Sequence, residues 1–122
     1  MKPELDGNKS IYLQIAESIE DDILRNVISE ESQVPSTNQL AVIYVINPAT
    51  AAKGINMLVN EGILYKKRGI GMFVATGAVQ KIQGKRKNAF YDKYIVPLLA
   101  EASTLDISKE DLLNMIKREE EK

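Results

Sequence analysis

Two helix-start signals stand eleven residues apart in "VPSTNQLAVIYVINPAT". Ser36 with Gln39 three positions on is the Ser-x-x-Gln capping box, in which each side chain bonds the other residue's backbone N–H. Asn47 followed by Pro48 is a second start, since asparagine caps well and proline at the first helical position lacks only an N–H that the helix does not use. A helix begun at Ser36 therefore ends by about Tyr44, and the next begins almost at once. That spacing leaves room for little except two short helices joined by a tight turn, a helix-turn-helix.

The flanks extend the pattern. Upstream, Ile11, Ile15, Ile19, Ile23, Leu24 and Val27 recur at three and four, with Glu17, Glu20, Asp21 and Asp22 mainly between them, and Ser10 is placed to cap this first amphipathic helix. Downstream, the helix begun at Pro48 should run to about Glu61 and stop at Gly62. Its inner face is Ala51, Ala52, Ile55, Leu58 and Val59; its outer face is Ala49, Thr50, Lys53 and Met57. Small and basic side chains suit a helix that enters a major groove about 12 Å wide. The runs "ILYKK" and "MFVAT" around "RGIG" then read as a β-hairpin. The Gly-x-Gly of that turn is not a dinucleotide loop, because a strand follows it instead of a helix and the third glycine is absent. Gly69 and Gly71 are turn residues that let Lys66, Lys67 and Arg68 come close to a polyanion.

Charge separates along the chain. Residues 1–65 carry four basic and nine acidic groups, residues 66–93 eight and one, and residues 94–122 four and seven, so a net charge of −1 conceals a middle segment of +7. The sequence contains no cysteine and no histidine, which excludes disulfides, thiolate nucleophiles, imidazole bases and Cys or His metal sites. Paired carboxylates such as Asp21 with Asp22 or Glu30 with Glu31 are sequence neighbours and do not face each other as an acid/base pair would. No enzymatic activity, cofactor or metal is expected. No stretch approaches the roughly 20 apolar residues of a membrane span, and "MKPELDGNKS" lacks the apolar segment of a leader, so the expected location is the cytoplasm.

Helix, capped helix, recognition-like helix and hairpin form, in that order, a winged helix-turn-helix. The segments "IYLQIAESIEDDIL", "VPSTNQLA", "INPATAAKGINMLVNEGIL" and "YKKRGIGMFV" resemble the DNA-binding domain of GntR-family bacterial transcription regulators over about residues 10–75. The Asn-Pro-x-Thr helix start and short tail look most like the YtrA-type subfamily. The resemblance implies a homodimer that binds a double-stranded DNA operator as an inverted repeat, usually as a repressor. It places Ser36, Thr37 and Asn38 at the phosphate backbone, with Asn38 where many members have arginine. It places Asn47, Ala49, Thr50 and Lys53 at the head of the reading helix, where Pro48 and Ala49 replace a common arginine and threonine. Lys67, Arg68, Gly69 and Gly71 fall on the wing. Val45 stands where the wider family commonly has glycine, so the turn either adopts other dihedrals or is strained. The alternative is a winged-helix protein-interaction module, or a non-specific DNA binder.

The expected organisation is mainly α with a small hairpin: a winged helix-turn-helix in residues 1–76 and a two-helix dimerisation region in residues 77–122. In the tail, Phe90, Tyr91, Tyr94, Ile95, Leu98, Leu99 and Ala102 form a stripe on a helix that Pro97 should bend. A second helix starts near Ser108 and carries Leu112, Leu113 and Ile116. Two helices of this length bury too little to stand alone, which favours pairing with a second copy. Phe90, Tyr91 and Tyr94 could instead line a small-molecule effector pocket. The basic run Lys81, Lys85, Arg86 and Lys87 is either a further backbone contact or a mobile linker.

Overall fold

The computed structural model describes residues 4–7 and 9–122; the amino-terminal stretch in which no leader was read lies partly outside them. The elements are α1 (Ile11–Leu24), α2 (Thr37–Tyr44), α3 (Pro48–Asn60), β1 (Leu64–Lys67), β2 (Gly71–Val74), α4 (Ala78–Phe90), a π-helical turn (Tyr91–Ile95), α5 (Val96–Thr104) and α6 (Lys109–Glu120). The chain divides into two compact units, Met1–Gly84 and Lys85–Lys122, so the expected boundary at residue 76 falls inside the first unit.

The first unit is built around one apolar core. Ile15, Ile19 and Ile23 of α1 meet Leu40 and Tyr44 of α2, Ala51, Ile55 and Leu58 of α3, Leu64 and Val74 of the hairpin, and Ala78 and Ile82 of α4. Each fully buried leucine or isoleucine contributes about 1.5–3 kcal/mol. The Tyr44 hydroxyl also donates to the Ser18 hydroxyl at 3.0 Å, tying α2 to α1 inside that core. Three expectations for α1 need correction. Ser10 occupies the cap position but its side chain makes no capping bond. The helix ends at Leu24, because Asn26 turns into positive φ (59°), and Val27 is left exposed. Glu20 and Asp22, taken as outward, are buried.

Gly54 decides how closely α3 can approach α1. A Cβ at this position would lie 2.8 Å from the main-chain oxygen of Tyr12 and 3.4 Å from the Ile15 Cγ2. The first of these atoms is backbone and cannot rotate away.

The hairpin pairs Leu64 with Val74, Tyr65 with Phe73, Lys66 with Met72 and Lys67 with Gly71. The outer edge of β2 is covered by residues 31–34, since Glu31 N–H donates to Val74 O at 2.7 Å, Val34 N–H to Met72 O at 2.9 Å, and Val74 N–H to Ser32 O at 2.9 Å. The same loop holds α4. The Glu30 carboxylate accepts from the N–H groups of Gly77 (3.0 Å) and Val79 (3.1 Å), capping the helix, while Glu31 accepts from the Tyr65 and Thr76 hydroxyls. These bonds favour the charged form and hold both carboxyls below their ordinary 4.5. Lys81 donates to Gly62 O at 3.2 Å, at the end of α3. The basic run thus lies in a helix, and its first lysine is engaged.

In the second unit the disturbance expected at Pro97 takes the form of the π-helical turn just before it. Ser108 caps α6 by accepting from Asp111 N–H at 3.1 Å, as expected. No helix among the described residues is long and apolar enough to cross a membrane.

Val45 has φ 54° and ψ 55°, the left-handed conformation, and is 89% exposed. The strained alternative therefore holds. For a β-branched residue this conformation costs about 1–2 kcal/mol, so Val45→Gly should raise the stability measured by urea unfolding by about 1 kcal/mol. Gly54→Ala should act in the opposite sense despite alanine's better helix propensity, losing about 1–3 kcal/mol in the same measurement because the clash is with backbone. Glu30 and Glu31 have folded pKa values depressed below the unfolded ones, so their contribution is present above the unfolded value and lost as pH falls through the folded one. The urea midpoint should therefore drop between about pH 5 and pH 3, and drop less steeply in Glu30→Gln/Glu31→Gln.

Candidate nucleic-acid interface

Three segments of the first unit carry the expected contact residues. At the head of α2 the capping box forms as read: Ser36 N–H donates to the Gln39 Oε1 at 2.8 Å and Gln39 N–H to the Ser36 Oγ at 3.1 Å. Thr37 and Asn38, the first two helical residues, have N–H groups that make no hydrogen bond among the described residues. With the positive end of the helix dipole behind them, they present donors suited to an anion. Ser36 and Asn38 are exposed and Thr37 half-buried.

The head of α3 is different. Pro48 has no N–H, Ala49 N–H donates to the Asn47 Oδ1 at 2.8 Å, and Thr50 and Ala51 N–H both bond Asn47 O at 3.0 and 3.2 Å. No charged residue occurs from Ser36 to Ala52. Ala49, Lys53, Asn56 and Asn60 form the exposed stripe of α3, with Thr50 half-buried beside it. Met57, assigned to the outer face, lines a groove on that face and is also half-buried against the core. Asn56 and Asn60 were missed, although steps of three and four from Lys53 point to them. The Lys53 ammonium sits 4.0 Å over the ring of Tyr12, and both line a shallow groove with Ala49, Ala52, Asn56 and Asn60. An ammonium held over an aromatic face loses freedom of position.

The wing turn is Arg68, Gly69 and Ile70. Gly69 (φ 78°) and Gly71 (φ 147°) both use the freedom expected of them. The tip is anchored twice: Ile70 N–H donates to Lys67 O at 3.0 Å, and Ile70 O accepts from the Gln33 Nε2 at 3.1 Å. Gln33 also fills the space that a Cβ on Gly71 would need. Nothing near Gln33 in sequence signals this role. Lys67 lies 4.2 Å over the Phe73 ring, while Arg68 and Lys66 are exposed.

In the second unit Phe90, Tyr91, Tyr94, Leu98, Leu99, Leu113 and Ile116 are exposed, and Ile95 and Leu112 half-buried. The Phe90 and Tyr94 rings pack tilted at 45° with centroids 5.2 Å apart.

The family model of bacterial regulatory proteins, gntR family, matches residues 11–74. The chain is 27% identical to the HTH-type transcriptional regulator YhcF of Bacillus subtilis (strain 168) over 117 residues, 96% of this chain and 95% of YhcF. It is 32% identical over 76 residues to the HTH-type transcriptional repressor YtrA of the same organism, covering 62% of this chain and 58% of YtrA. A GntR-family transcriptional regulator from Bacteroides thetaiotaomicron superposes with a TM-score of 0.71 at 37% identity, over 88% of this chain and 94% of that one. The DNA-binding domain of AraR in complex with its operator ORR3 superposes with a TM-score of 0.51 at 34% identity, over 52% of this chain and 77% of that one. With a winged helix-turn-helix in place and more than half of its length matched, the chain belongs to the gntR family of bacterial regulatory proteins and is a DNA-binding transcription regulator.

Proposed function

We propose that the protein is a cytoplasmic, YtrA-like repressor that binds an inverted-repeat operator as a homodimer and catalyses no reaction. The observation that carries the DNA contact is the head of α2, where the unbonded N–H groups of Thr37 and Asn38 stand beside the Ser36 hydroxyl. These groups position a phosphate, with Arg68 and Lys67 on the wing adding charge. Asn47, Ala49, Thr50 and Lys53 face the bases, and Gly69 and Gly71 let the wing approach the backbone closely. That a similar fold, the AraR domain, forms a complex with operator DNA supports operator binding by this unit. The carboxylates Glu30 and Glu31 are committed to holding α4 and the hairpin.

Homodimerisation uses the apolar residues of the second unit, the exposed Phe90, Tyr91, Tyr94, Leu98, Leu99, Leu113 and Ile116 with the half-buried Ile95 and Leu112. So many large apolar groups on 38 residues, Lys85 to Lys122, are costly to leave in water. A two-fold dimer then presents two α3 helices to two half-sites. Phe90, Tyr91 and Tyr94 also offer an aromatic surface for a small effector. A protein-interaction module is the competing reading, favoured by the uncharged outer face of α2, where Pro35, Val42 and Ile43 line an apolar groove.

Selection of duplexes from a random pool by the full chain tests the proposal. A two-fold symmetric site should emerge, bound at least about a thousandfold better than a scrambled control, by a species of twice the chain mass. Arg68→Ala should weaken both duplexes alike and lower the slope of log K against log salt by about one. Equal binding of selected and scrambled duplexes would overturn the operator reading and leave a non-specific DNA binder or a protein-interaction module.

A further inference from the structure

We propose that Tyr12 of α1 is a positioning residue for base reading: its ring fixes the Lys53 ammonium on the outer face of α3, and the lysine meets base edges from that seat. This rests on the operator-binding reading above. Lys53 is the only lysine or arginine from Ser36 to Tyr65, so a cationic contact from the two helices to a base edge must come from it. A lysine alone is poorly suited to that work. Its ammonium is a point charge on a flexible stem, without the rigid fork of an arginine, whereas telling bases apart needs donors in set positions.

The structure supplies what the lysine lacks. The Lys53 Nζ lies 4.0 Å from the centroid of the Tyr12 ring, and among the described residues no carboxylate pairs with it. The ring is itself held. Tyr12 is half-buried, and its main-chain oxygen meets α3 at Gly54, the residue after Lys53, so closely that a Cβ there would lie 2.8 Å away. Backbone packing therefore sets the ring, and the ring sets the cation. The aromatic face closes one side of the ammonium and leaves the other to the groove, whose further polar lining is the neutral Asn56 and Asn60 amides. The Tyr12 hydroxyl makes no hydrogen bond among the described residues, so the holding is done by the ring and not by the phenol. A side chain ordered before DNA arrives removes part of the cost of binding.

The test uses the full chain, the duplex obtained by selection and its scrambled control. It reads the ratio of the two affinities within each protein, so that any unfolded fraction cancels. Lys53→Met should lower this ratio at least roughly thirtyfold over the two half-sites. Tyr12→Leu keeps the lysine and an apolar side chain beneath it but removes the ring, and should lower the ratio roughly tenfold. Binding to the scrambled duplex should stay within about twofold, because phosphate attraction depends on the number of charges more than on their exact placement. Tyr12→Phe, which keeps the ring, should match the wild-type ratio within about twofold. In a Lys53→Met background Tyr12→Leu should cost nothing further, as expected of a residue that acts only through the other. In the wild type, the Lys53 methylene protons should stay shifted upfield by the ring when the duplex binds, a measurement that needs no variant. The proposal is overturned if Lys53→Met leaves the ratio intact, if the two losses add, or if the methylene shifts vanish in the complex. It is equally overturned if Tyr12→Leu leaves the ratio unchanged or raises it, the latter meaning that the ring holds the lysine away from DNA. A loss in Tyr12→Phe as large as in Tyr12→Leu would make the hydroxyl a contact of its own and overturn it too. Each of those results leaves specific operator binding standing. Failure to select any site removes both.

Discussion

The contact of α3 with α1 at Gly54 sets the geometry on which the rest of the DNA-binding unit depends. Without a side chain there, the helix backbone comes down onto the Tyr12 carbonyl and the Ile15 side chain. That approach buries Ala51, Ile55 and Leu58 and rotates Ala49, Lys53, Asn56 and Asn60 outward. It also brings the Tyr12 ring under the Lys53 ammonium, so one close crossing both forms the core and orients the outer stripe. A larger residue at position 54 would lift α3 and change what every outward side chain can reach, because a packed core transmits such shifts.

A second constraint works on the wing. A two-stranded hairpin alone is marginal in water, and here residues 31–34 serve as an irregular third strand against β2. Glu30 and Glu31 leave the same loop in opposite roles, one capping α4 and the other joining Tyr65 to Thr76. Glu31 adopts positive φ (68°) to do so, and Val45 adopts it in the helix-helix turn. Both are local costs accepted where the surrounding bonds leave the backbone no alternative. The wing tip inherits this order through Gln33, which holds the Ile70 carbonyl.

What the sequence made legible follows from how local each signal is. The Ser36 and Gln39 box, the Asn47 and Pro48 start, the stop at Gly62 and the glycines of the hairpin depend on neighbours within a few residues, and all formed as read. The family resemblance added the order of the elements. Gly54, by contrast, looks in sequence like a weak point of a helix, and only its distance from Tyr12, 42 positions earlier, explains it. Gln33 acts across 37 positions on Ile70, and Glu30 across 47 on Gly77. No period or motif announces such pairs. Asn56 was within reach of the helical period and was displaced by Met57, whose thioether chain serves equally as outer or core residue.

The two helix heads show how one motif can be divided chemically. Both begin with a residue whose side-chain oxygen accepts a backbone N–H, yet the cap reaches different positions. Ser36 bonds the third helical residue and leaves the N–H groups of Thr37 and Asn38 open. Asn47 bonds the second, its carbonyl takes the third and fourth, and proline deletes the first. The head of α2 therefore keeps two open donors, whereas at α3 a neutral surface of methyl and amide groups remains. A positioning contact needs charge or open donors, and a base-reading contact needs shape with few competing donors.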